Sequence, residues 1–137
     1  MSEANKALVR RGFEVGINER RWDVFNEYIA ADYVNHSMPA PAPGPEGLVQ
    51  VIQMFVAAFP DFRIQLHDVL GDGDKVATRG TFTGTHQADF MGIPATGTSV
   101  SVNYIDLWRL RDGKAVENWV QIDMLGLMQQ LGVVPSQ

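Results

Sequence analysis

The sequence predicts an α+β fold, with three N-terminal helices packed on one curved antiparallel sheet. Three observations carry this. Apolar residues recur every three or four positions up to Phe59, which is the helical period, and from Asp61 the pattern changes to strands. Two turn signals, Gly71-Asp72-Gly73-Asp74 and Asp112-Gly113, divide that second half into hairpins. Helices first and an antiparallel meander after them is the order of an α+β domain.

Residues 3–19 read as the first helix, with Leu8, Val9, Phe13, Val15 and Ile17 opposite Lys6, Arg10, Arg11 and Glu14. Gly12 and Gly16 inside it cost roughly 1 kcal/mol each relative to alanine, which points to another element packing closely there. Trp22 to Ile29 is a second, short helix, and Tyr33 to Ser37 is extended. From Met38 to Pro45 four prolines fix φ and remove donors, so this is a stiff surface loop. Helix resumes at Glu46 and runs to about Phe59, where Pro60 stops it. Leu48, Val51, Ile52, Phe55 and Phe59 share one face of it, and Val49, Met54 and Val56 cover much of the rest. A helix so apolar is buried on more than one side, with one side on the sheet and another lining a cavity. Strands follow over 62–70, 75–85, 99–111 and 114–123, with a loop from Gln87 to Thr98. Leu125 to Leu131 is a short terminal helix ended by Gly132. No repeat or linker interrupts this order, and 1–137 reads as a single domain.

Composition narrows the function. A net charge of -5, with eleven scattered Lys and Arg, argues against a nucleic-acid partner, which needs a basic stripe. The absence of cysteine excludes disulfides and thiol nucleophiles. No apolar run approaches the ~20 residues of a membrane span. Met1 to Lys6 carries charges where an export signal needs its apolar region. The expectation is a soluble cytoplasmic protein.

The turn at Asp112-Gly113 decides which strand residues share a face. A two-residue turn pairs Arg111 with Lys114 and puts Tyr104, Asp106, Trp108, Glu117, Trp119, Gln121 and Asp123 on one face. Ile105, Leu107, Val116, Val120 and Ile122 then lie on the other. A three-residue turn with a bulge shifts the register by one and places Asn103 and Ile105 beside Trp119. Both registers fit the sequence.

Several segments resemble one known family. The stretch from Gly80 through Gly84-Thr85-His86 to Gly92-Ile93-Pro94-Ala95-Thr96-Gly97 is similar to the GTH…GIPxTG run of SnoaL-like polyketide cyclases. Asp112-Gly113-Lys114 through Glu117 and Trp119 resembles their DGKxxExW hairpin, and Asp123 through Gly126-Leu127 to Gly132 resembles their DxxGLxQQLG tail. Tyr33-Val34-Asn35-His36 resembles an early segment that usually carries histidine. The resemblance implies a nuclear transport factor 2-like fold, with a strongly curved sheet and helices enclosing a conical cavity. It also implies an intramolecular aldol ring closure in which an Asp matching Asp123 is the acid/base.

Enolate formation needs a base beside the acidic carbon and a group that holds the developing oxyanion. Asp123 is the first candidate base, since burial against an indole such as Trp119 would raise its pKa. Its other reading is the N-cap of the helix that follows. His36 and His86 are catalytic candidates that could orient a carbonyl or share a proton with Asp123; each could instead bond loop backbone. Arg79 is a candidate for binding substrate if Asp106 or Asp123 pairs with it inside the cavity, and otherwise points outward. Asn35, Met54, Phe55, Phe59, Tyr104, Asp106 and Trp119 complete the expected substrate-binding set. Three scattered histidines have no metal-ligand spacing, so no metal and no cofactor are expected. The sequence thus suggests a cofactor-independent cyclase or isomerase acting on a small apolar carbonyl compound. The alternative is a non-catalytic module binding a small hydrophobic ligand. Ile105, Leu107, Val120 and Ile122 on the outer face suggest a homodimer.

Overall fold

The computed structural model of the chain describes residues 2–135. Helix α1 (Ser2–Arg11) continues into a wider π-helical turn, Gly12–Ile17. Helix α2 (Val24–Tyr28) leads directly into strand β1 (Ile29–Asn35). Helix α3 (Gly44–Ala58) follows the proline-rich loop, with Pro45 in its first turn, where a missing N–H costs nothing. Strands β2 (Arg63–Asp72), β3 (Lys75–Thr85), β4 (Ser99–Arg111) and β5 (Lys114–Ile122) form the meander, and α4 (Met124–Gln130) closes it. The sheet order is β1-β5-β4-β3-β2.

The expected architecture of three helices on a curved sheet is present, with one topological difference. β1 joins the edge of the sheet parallel to β5, while the other neighbours are antiparallel. An edge strand contributed by the helical half has no turn signal to announce it.

The register shifts between Ile29 and Val34 in β1, and two bulges in the meander bend the sheet. In β2, Leu66 pairs with Gly80 but Asp68 pairs with Arg79, leaving His67 as the extra residue. In β5, Ala115 pairs with Leu110 but Glu117 pairs with Arg109, leaving Val116 as the extra residue. Such insertions increase local twist and coil a sheet. The second also changes the face assignment. Arg111 pairs with Lys114 across a two-residue turn, as in the first register above, yet beyond Val116 the phase is reversed. Asp106 pairs with Val120 and Leu107 with Trp119. The concave face therefore carries Tyr104, Asp106 and Trp108 with Asn118, Val120 and Ile122. Glu117, Trp119 and Gln121 face outward.

The two glycines of the first helical segment have the close neighbours that their positions require. A Cβ on Gly12 would overlap the Tyr28 hydroxyl, and one on Gly16 would lie 2.7 Å from the Phe25 ring. Gly16→Ala is therefore expected to destabilise the fold by about 1–3 kcal/mol through overpacking, against the gain of roughly 1 kcal/mol that helix propensity alone gives. Urea denaturation of the variant reads the sign directly.

Candidate functional site

The concave face of the sheet, the π-helical turn and helices α2 and α3 enclose a cavity of about 100 Å³. Phe13 and Ile17, Leu48, Val51, Ile52 and Phe55 of α3, and Phe82 of β3 give it apolar walls. The half-buried lining residues Asn35, Met38, Val120 and Ile122 mark its mouth, beside the ends of β1 and β5. Asp106 is the one charged side chain among the lining residues.

Asp106 is 4% exposed, and burial pushes its carboxyl pKa up to about 7, against the pull of its hydrogen bonds. Thr78, its cross-strand neighbour, donates to Oδ1 at 2.5 Å, and the Trp108 indole donates to Oδ2 at 2.9 Å. The Tyr104 hydroxyl lies 3.2 Å from Thr78 Oγ1. Gly80, paired with Tyr104, leaves the space for this ring, since a Cβ there would sit 2.9 Å from the phenolic oxygen. On β5, Asn118 is buried and accepts from the Tyr33 hydroxyl at 2.5 Å. Burial holds the phenols of Tyr28, Tyr33 and Tyr104 above their ordinary pKa, so all three are neutral donors near pH 7. The site thus presents a carboxyl poised near neutrality beside neutral donors in an apolar chamber. That is the equipment for removing a proton from carbon and stabilising the oxygen that gains charge.

Of the residues singled out in the sequence, the structure brings Asn35, Phe55, Tyr104 and Asp106 to the cavity. Asn35 also turns the chain, its Oδ1 accepting from the amides of Ser37 and Met38. The others lie elsewhere. Asp123 is exposed at the N-cap of α4, its Oδ1 accepting from Gly126 N at 2.9 Å. Trp119 points outward because of the Val116 bulge and stacks on His36, ring centroids 4.9 Å apart. His36 Nε2 lies 2.7 Å from Glu117, whose carboxyl is held below its ordinary pKa by hydrogen bonds from Arg109 and His36. Arg79 faces outward and pairs with Asp68 at 2.7 Å. Met54 is 47% exposed on the solvent side of α3. Phe59 and His86 are fully buried but sit behind the cavity wall, 5.4 Å apart between ring centroids. His86 Nδ1 accepts from the Thr96 amide, so this histidine fastens the 86–98 loop.

Thr78, Trp108, Asn118, Tyr28 and Tyr33 complete the site and were not singled out as site residues by sequence reasoning. Trp108 was legible from its period-two spacing with Tyr104 and Asp106. Thr78 depends on the β3–β4 register, which the long 86–98 loop hides, and Asn118 depends on the bulge. Among the described residues, no group of three or more His, Asp or Glu side chains is placed to hold a metal ion.

The family model described as SnoaL-like polyketide cyclase matches residues 7–131. The aklanonic acid methyl ester cyclase DnrD of Streptomyces peucetius is 30% identical over 129 residues, covering 91% of this chain and 88% of that protein. The aklanonic acid methyl ester cyclase DauD of Streptomyces sp. strain C5 is 31% identical over 130 residues, covering 91% and 80%. Among solved structures, TsrD from Streptomyces laurentii superposes with a TM-score of 0.87 at 28% identity, covering 96% of this chain and 97% of that one.

Proposed function

Because the chain belongs to the SnoaL-like polyketide cyclase family, we propose that it closes a ring in a small, largely apolar carbonyl compound by removing a proton α to a carbonyl. The observation that carries this reading is Asp106, a buried carboxyl with a pKa of about 7 opening on an apolar cavity. A carboxylate near pKa 4 is a weak base toward a C–H bond, and one raised toward neutrality is stronger while still ionised in a useful fraction. Asp106 takes the role of base that the family resemblance offered to Asp123. Asp123 in this reading is a helix cap, since its carboxylate is exposed and already bonded to the Gly126 amide. The Asn118 side-chain amide, whose oxygen accepts from Tyr33, is the donor available to the substrate oxygen, and Tyr104 lines the same cavity.

The test uses aklanonic acid methyl ester as the first probe, followed by smaller β-dicarbonyl compounds. Wild-type protein and Asp123→Asn are expected to release cyclised product, and Asp106→Asn is not. Turnover lost in Asp123→Asn but kept in Asp106→Asn would return the base to position 123. Tight binding of a probe with no turnover by any form would leave a ligand-binding module.

We also propose a homodimer built on the outer face of the sheet. Leu70, Ala77, Leu107 and Trp119 form one cross-strand row there, with Ile105 beside it. Val120 and Ile122, expected on that face, line the cavity instead. Analytical ultracentrifugation at tens of micromolar is expected to give twice the chain mass for wild type and the chain mass for Ile105→Asp.

A further inference from the structure

We propose that Thr78 is a positioning residue linking Asp106 to Tyr104 in one hydrogen-bonded chain, so that a proton taken up at Asp106 is given back to the substrate from Tyr104. This rests on the reading of Asp106 as the base and adds how the protein is reset. The geometry fixes the direction of the chain at rest. Thr78 has a single hydroxyl proton, and the 2.5 Å contact to Asp106 Oδ1 commits it to the carboxylate. The 3.2 Å contact to Tyr104 is then made by the phenol donating to Thr78. Proton uptake at Asp106 reverses both bonds. The carboxylic acid donates to Thr78, Thr78 donates to the Tyr104 oxygen, and the phenolic proton is free to turn into the cavity that Tyr104 lines. Base and acid thus occupy the two ends of one relay, at different points of the cavity wall.

The steps balance without a co-reactant. Asp106 takes the α-proton, the C–H bond breaks, and its electron pair remains as the enolate. The enolate carbon attacks the second carbonyl, a C–C bond forms, and the displaced π pair leaves an alkoxide. Tyr104 gives its proton to the alkoxide, Thr78 gives its own to Tyr104, and Asp106 gives the abstracted one to Thr78. The groups facing Asp106 are Thr78 of β3, Tyr104 and Trp108 of β4, Tyr33 of β1, Asn118 of β5 and Tyr28 of α2. None of these is charged near pH 7, and Thr78 is the hydroxyl bonded directly to the carboxyl.

The first experiment needs no substrate and so judges the chain apart from the cyclase reading. The Asp106 carboxyl is titrated by carbon-13 NMR in wild type, Tyr104→Phe, Thr78→Val and the double variant. Thr78→Val is expected to raise the midpoint by about one pH unit or more, because a donor to the charged form is lost. Tyr104→Phe is expected to raise it by a few tenths of a pH unit when Thr78 is present and not at all in Thr78→Val. An equal shift in both backgrounds, or none in either, overturns the relay. The second experiment follows aklanonic acid methyl ester in deuterium oxide. At a pH above the Asp106 midpoint of every variant, Thr78→Val is expected to keep α-proton exchange within a few-fold of wild type and to lose ring closure by about 100-fold or more, with Thr78→Ser restoring it. Equal loss of exchange and closure would reduce Thr78 to a prop for Asp106 and overturn the proposal.

Discussion

Asp106→Asn is expected to lower ring closure at least 100-fold, in the ~10²–10⁴ range of a general base, while making the protein more stable relative to wild type as pH rises. The second half follows from linkage. The native carboxyl has a pKa of about 7 against an ordinary 3.8, so between these values the folded state binds more protons than the unfolded one. Its contribution to stability is fully present below about pH 4 and is lost as pH rises through 7. Asparagine lacks this dependence and can still bond to both neighbours, its carbonyl accepting from Trp108 and its amide donating to Thr78. The stability of the variant minus that of wild type should therefore increase by about 3 kcal/mol between pH 5 and pH 8. Carboxylates whose pKa values are lowered, such as Asp61 and Glu117, act oppositely but are common to both proteins and cancel. Urea denaturation at the two pH values measures the difference, and equal differences at both would mean that Asp106 is not held protonated by the fold.

Phe59→Ala separates core from pocket. The Phe59 side chain is fully buried among Phe82, His86 and Phe90, in a seat that Gly84 leaves open, and it does not line the cavity. Truncation leaves a void and is expected to cost about 3–5 kcal/mol, lowering Tm by roughly 10–20 °C. Affinity for a probe ligand should change little in the fraction that remains folded. Phe55 lies one helical turn earlier and lines the cavity, so Phe55→Ala should weaken probe binding as well as the fold. An unchanged Tm with lost binding in Phe59→Ala would put that ring in the pocket after all.

Helices, strands β2 to β5 and both hairpins were legible because each rests on a local signal: a period, a proline, or a glycine in a turn. The site was legible only where a local signal reached it. Tyr104, Asp106 and Trp108 follow from period two within β4, which is continuous. Trp119 was misplaced because Val116 is apolar and fits an ordinary alternation, so nothing in the sequence marks it as an extra residue. Asn118 was missed for the same reason. The proposed base was read as Asp123 because the tail motif draws attention there, whereas the burial that gives Asp106 its chemistry is a tertiary fact. Arg79 was open between pocket and surface and Met54 was expected in the pocket, and the fold turned both to solvent.

The bulge at Val116 also bears on how this chain could have changed over time. Losing that single residue would leave every downstream side chain of β5 chemically intact and on the wrong side of the wall. Asn118, Val120 and Ile122 would move to the exterior, and Trp119 and Gln121 would enter the chamber. A gap of one residue here is therefore equivalent to replacing half the strand at once. Drift by substitution remains open along β5, whereas drift by length is closed between Ala115 and Glu117 unless a second insertion restores the phase. Relatives compared by residue type alone could match well through this stretch while presenting opposite sides of it to their substrates.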